Sequence, residues 1–186
     1  SGGGAWDNYT SDQNVAIGNY TMDAALAASD NNTVIGHQAG SGITAGDNNT
    51  FIGYQAGTAA TQVLQSVAVG GLALSTANGT EHYNTAVGYS AMLGCTNNAA
   101  QYNVAVGWSA LDAAIEGAGT VAVGAASLGA LTTGASNTAV GYQSLLSLVG
   151  GDGNTAIGYQ TMDACDDGIY NTAIGYRALS ANPNNE

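Results

Sequence analysis

Residues able to do acid–base, nucleophilic or metal chemistry are few here and lie far apart. The chain has two histidines, His37 and His82, no lysine, and a single arginine, Arg177. Its carboxylates stand in separate polar stretches, among them Asp47, Glu81, Asp112, Glu116, Asp152, Asp166 and Asp167. No His/carboxylate spacing fits a zinc site, and no nucleophile has a base at a spacing that would activate it. "GGDGN" at 150–154 resembles one unit of a calcium-binding nonapeptide array, but such arrays need tandem copies. "CDDG" at 165–168 reads as a solvated acidic loop. The expectation is no catalytic residue, no metal and no cofactor.

Recognition chemistry is better represented than catalysis. Tyr54, Tyr89, Trp108, Tyr142, Tyr159 and Tyr176 each follow a glycine, in a chain with 10 Tyr, 2 Trp and 1 Phe. Amphipathic rings at a fixed spacing suit three roles: a stacked ladder that stiffens the chain, a contact with another protein, or a platform for sugar rings. Eight asparagines form a second series: Asn14, Asn32, Asn49, Asn84, Asn103, Asn137, Asn154 and Asn171. Each lies four residues before the same glycine, where Ser66 and Thr120 complete the series. Asn bonds readily to nearby backbone, and stacked Asn side chains can bond to one another, so a structural column is expected.

These series belong to one repeat. "NTAVGY" occurs at 84–89 and 137–142, and "NTAIGY" at 154–159 and 171–176. Aligned on Gly18, Gly36, Gly53, Gly70, Gly88, Gly107, Gly124, Gly141, Gly158 and Gly175, the ten copies are spaced 17–19 residues apart. A unit that short cannot bury its own apolar face and must stack on its neighbours. The fold class is therefore a parallel β-solenoid of about ten coils, with residues 1–186 as a single solenoid domain.

Within a coil, a Thr/Val column, a mostly Ala column and an Ile/Val column precede the glycine, which reads as a short strand. The Ile/Val side is expected to face the core. The Ala column then points outward as an apolar stripe, unless the coil is so thin that Ala packs inside. Small or apolar residues three, four and seven positions after the glycine have helical spacing. Stretches such as "WSALDAAIEG" (108–117) thus suggest one to two helical turns, with turns in glycine-rich coils. Cys95 and Cys165 each lie seven residues after their glycine and four coils apart. At ~4.8 Å per coil that is ~19 Å, beyond the ~7 Å reach of a disulfide. They read as small core residues.

Composition narrows the partners. Charged residues make up 8% of the chain and apolar ones 45%, with 13 acids against one base and a net charge of −12. That excludes disorder and argues against nucleic acid and anionic membrane surfaces, which need Lys and Arg. No apolar run approaches the ~20 residues of a membrane span. The Asn-x-Thr sequons at Asn8, Asn19, Asn31, Asn48 and Asn78 are expected in a chain rich in both residues.

"NTAIGYQTM" at 154–162 and "NTAIGYRAL" at 171–179 resemble the repeats of bacteriophage tail fibres. "QSVAVG" at 65–70 is similar to head repeats of trimeric autotransporter adhesins. The resemblance implies an extracellular, cell-surface or virion fibre, commonly trimeric, that reaches a cell surface. "GGGAW" at 2–6 looks like the second half of another coil, and 177–186 stops partway round one. Ends of that kind suggest cover by neighbouring subunits, as a homotrimer or a head-to-tail filament. A structural, self-assembling fibre subunit that attaches to a surface is the leading expectation. A glycan-binding adhesin module and an ice-binding solenoid presenting its Thr column are the alternatives.

Overall fold

A computed structural model of the chain describes residues 11–79, 81–96, 100–113 and 116–181. It contains ten three-residue strands, one per coil. They are β1 (Val15–Ile17), β2 (Thr33–Ile35), β3 (Thr50–Ile52), β4 (Val67–Val69), β5 (Thr85–Val87), β6 (Val104–Val106), β7 (Val121–Val123), β8 (Thr138–Val140), β9 (Thr155–Ile157) and β10 (Thr172–Ile174). They form one parallel sheet in sequence order. Register is unbroken: Thr50 pairs with Val67, Phe51 with Ala68 and Ile52 with Val69, and every other step aligns in the same way. The chain is a parallel β-solenoid, and each column of the sequence is a column in space.

The glycine after each strand sets the distance between coils. All ten have φ between 127° and 142°, a region L side chains rarely adopt. A Cβ added to Gly53 would lie 2.5 Å from the carbonyl oxygen of Gly70 in the next coil. No other residue lets the backbones approach that closely.

Helical segments are absent among the described residues; the turn alternative is the one adopted. Three residues per coil lie in the left-handed region: five before the glycine (Asn48, φ 58°), two after it (Gln55, φ 54°) and four after it (Leu74, φ 51°). Right-handed i→i−4 bonding cannot pass through them. Their N–H groups instead donate to the adjacent coil, as in Asn48 to Asp30 (2.9 Å), Gln55 to His37 (3.0 Å) and Leu74 to Ala91 (3.0 Å). Each such residue other than glycine costs about 1–2 kcal/mol of backbone strain, which the inter-coil bonds and burial offset. The left-handed turn directs consecutive positions three and four inward, and so mimics helical spacing.

The strand faces are opposite to the first expectation. The Ala column is buried, including Ala68, Ala86, Ala105, Ala122, Ala139 and Ala156, all fully so. The Thr/Val and Ile/Val columns face outward and are partly exposed. Space is the reason, since opposite each inner Ala stand Leu74, Met92, Leu111, Leu128, Leu145 or Met162, which fill the thin interior.

Two coils reverse this division of volume. Val34 and Phe51 replace the inner Ala, and in those same coils Gly40 and Gly57 replace Leu or Met. A Cβ on Gly57 would lie 2.5 Å from Phe51 Cδ2, and one on Gly40 would lie 3.0 Å from Val34 Cγ1. Large-opposite-small is thus conserved in sum although the large residue changes sides. Phe51→Ala is expected to cost about 3–5 kcal/mol in denaturant unfolding. Gly57→Leu alone should also destabilise, yet the double variant should recover most of the loss, a coupling that additive effects would contradict.

Candidate functional site

The aromatic column emerges on the surface. Tyr54, Tyr89, Trp108, Tyr142, Tyr159 and Tyr176 are all exposed, from 43% at Tyr159 to 75% at Tyr176. The sheet brings some of them into stacks. Tyr142, Tyr159 and Tyr176 form a continuous trio with centroids 5.4 and 5.3 Å apart and planes within 15°. His37 joins the column by stacking on Tyr54 at 5.7 Å. Gly71 interrupts the column after Tyr54, and Ala125 interrupts it after Trp108.

A second aromatic column escaped the sequence reading. Tyr83, Tyr102 and Tyr170 lie five residues before their glycines, are exposed, and adopt left-handed φ of 61°, 60° and 56°. Tyr83 and Tyr102 stack at 4.8 Å with planes 4° apart. The signal was their shared offset. It is masked by Gln, Asn, Ser and Gly at that position in other coils.

The asparagine column is internal. Asn32, Asn49, Asn84, Asn103, Asn137 and Asn154 are buried, while Asn14 and Asn171, in the outermost coils, are partly exposed. From Asn14 to Asn154, each side chain bonds to the next coil twice. Asn103 Oδ1 accepts from the N–H of Thr120 at 2.9 Å, and its Nδ2 donates to the Gly117 carbonyl at 2.8 Å. Asn32, Asn49, Asn137 and Asn154 repeat the first bond, to Asn49, Ser66, Asn154 and Asn171 respectively. Where Asn is missing, the hydroxyl of Ser66 accepts from the Asn84 N–H at 3.1 Å, and that of Thr120 from Asn137 at 3.4 Å. The column thus answers backbone groups of the loop that strand pairing cannot reach.

Titratable groups are dispersed. Cys95 and Cys165 are free and buried, and burial, aided by the Glu81 charge, pushes the Cys95 thiol up to about 12. A thiol so held is inert at neutral pH. His82 accepts a hydrogen bond at Nδ1 from the Leu64 N–H (3.0 Å), and burial lowers its pKa despite the opposing influence of Glu81. Asp112 is pushed above the usual carboxylate range by burial. Among the described residues, no group of three or more His, Cys, Asp or Glu could hold a metal ion. No helix among them is long and apolar enough to cross a membrane. "GGGAW" at 2–6, Asn8, and the last five residues lie outside the described residues.

One notch breaks the regular surface. It has a volume of about 530 Å³ and is lined on three successive coils by Trp108, Ser109 and Asp112, then Ala126, Gly129 and Ala130, then Leu146 and Ser147. Its floor is the coil with small residues at the positions where its neighbours carry Trp, Ser and Asp or Tyr, Gln and Leu.

No protein-family model, curated protein or solved structure matches this chain.

Truncating Asn103 to Ala orphans the Thr120 N–H and the Gly117 carbonyl and should cost about 2–4 kcal/mol in chemical denaturation. Asn103→Ser should cost clearly less, because Ser66 shows that a hydroxyl can serve as the acceptor. Equal losses in the two variants would contradict a ladder role.

Proposed function

We propose that this chain is a structural subunit of an extracellular or virion fibre that self-assembles and serves attachment to a surface. The observation that carries the reading is the outward face of the sheet. A β-branched aliphatic residue stands there in all ten coils, from Ile17 through Val87, Val106 and Val123 to Ile174, with Val15, Ile17, Ile157 and Ile174 among the exposed residues. A stripe running the length of the described rod is an association surface rather than a set of isolated apolar residues. At ~4.8 Å per strand the ten strands span roughly 45 Å, and length increases linearly with each coil added.

The favoured partner is a second copy of the chain. Two such stripes are alike, in register and nearly uncharged, so rods packed side by side exclude water without burying a charge. A homotrimer uses that contact, whereas a head-to-tail filament joins the rods through their ends. The resemblance of "NTAIGYRAL" to tail-fibre repeats supports the same role, in which the fold sets reach and the exposed aromatic columns meet the target.

Light scattering on the purified chain, followed by electron microscopy, tests the reading. Wild type is expected as a multi-chain species, and Val87→Lys combined with Val123→Lys is expected to fall to monomer mass with an unchanged circular dichroism spectrum. Wild-type chains that stay monomeric at high concentration would refute self-assembly. If they also suppressed ice growth, the ordered Thr/Val and Ile/Val rows would be read as an ice-binding face instead.

A further inference from the structure

The notch beside Trp108 is built by a local departure from the repeat. Relative to the anchoring glycine, its floor coil has Ala125, Ala126, Gly129 and Ala130 at positions one, two, five and six. The preceding coil has Trp108, Ser109, Asp112 and Ala113 there, and the following coil has Tyr142, Gln143, Leu146 and Ser147. Ala125, Ala126 and Gly129, each smaller than its counterpart on both sides, lower one coil between two taller ones.

Gly129 shows that the space itself is the feature. Its φ does not lie in the left-handed region, and a Cβ there would meet only ordinary contacts, 3.5 Å from the Ala126 carbonyl oxygen and 3.5 Å from Leu146 Cδ1. Backbone geometry therefore tolerates a side chain at Gly129, unlike at Gly53 or Gly57. Glycine at this position leaves the notch open.

The lining specifies a chemistry. Trp108 is 60% exposed and offers an apolar aromatic face at one wall. Asp112 Oδ1 is shielded from water and accepts no hydrogen bond from the protein. Asp112 nevertheless lines the notch, so its carboxylate stands at the wall as an acceptor for a ligand O–H. Ser109 and Ser147 line opposite sides of the same notch. An anionic ligand is disfavoured, because the only Lys or Arg, Arg177, is two coils beyond the Leu146 wall and the chain carries −12.

We propose that this notch binds a neutral sugar ring at the end of a glycan, with one face of the ring on the Trp108 indole and a ring hydroxyl donating to Asp112. An apolar face edged by hydroxyls is what a hexopyranose presents, and a volume of about 530 Å³ lies within the range of small-ligand sites. The inference deepens the attachment part of the proposed function by naming the target chemistry.

Saturation-transfer NMR with methyl glycosides of glucose, galactose and mannose, alongside sialic acid and tetramethylammonium, tests the notch on the full chain. At least one neutral glycoside is expected to bind. Trp108→Ala should abolish binding, and Asp112→Ala and Gly129→Leu should each weaken it about tenfold or more, near 1.4 kcal/mol. Gly129→Leu fills the space at a position where the next coil already has Leu146, so it should fold as wild type by circular dichroism. Absence of binding by every neutral glycoside, binding of sialic acid or tetramethylammonium alone, or binding unaffected by Gly129→Leu would each overturn the proposal. Light scattering on the same samples separates the two readings. Rods that associate without binding sugar sink only the notch, and monomers that bind sugar sink only self-assembly.

Discussion

Ten glycines stand one above another in this molecule, each with φ near 135°, and the nine before Gly175 have no room for a side chain beneath the next coil. Their spacing is the constraint on which everything else rests. Because the backbones meet there, every strand must pair in register with the next, and every other position in the coil becomes a column. Strand pairing alone covers three residues of seventeen or more. The left-handed turns and the asparagine column extend inter-coil bonding around most of the remainder. Stability in such a stack resides between coils, so it grows with coil number rather than with the size of any single core.

The same regularity makes departures from it informative. A residue that matches its column is explained by the column, whereas one that differs needs its own account. Phe51 differs and is compensated by Gly57 inside the coil. Ser66 and Thr120 differ and preserve an acceptor for the next N–H. The small residues of the Gly124 coil differ without any internal compensation, and what they leave is an open notch on the surface.

The repeat, its anchoring glycines and the parallel stack were legible from the sequence because spacing carries them. The strand faces were not. Alanine lies inside and Ile or Val outside, the reverse of ordinary burial preference, because Leu74, Met92, Leu111 and their counterparts already fill the thin interior. The helical expectation failed for a related reason. Left-handed conformations fall on Gln55, Leu74, Ser109 and Leu145, residue types that give no hint of them. The aromatic column could be listed from sequence, but the notch could not. Recognising it requires knowing that positions one, two, five and six after the glycine share a surface.

The central claim is that close approach at the glycine column, not glycine content in general, holds the coils together. Thermal unfolding of Gly107→Ala and Gly129→Ala tests it with the same one-methyl change. A Cβ on Gly107 would lie 2.5 Å from the Gly124 carbonyl oxygen, at φ 141°, whereas one on Gly129 meets only 3.5 Å contacts. The account predicts a loss of about 3 kcal/mol or more for Gly107→Ala, combining steric overlap with a disallowed φ, and a change within about 0.5 kcal/mol for Gly129→Ala. Similar melting temperatures for the two variants would contradict it.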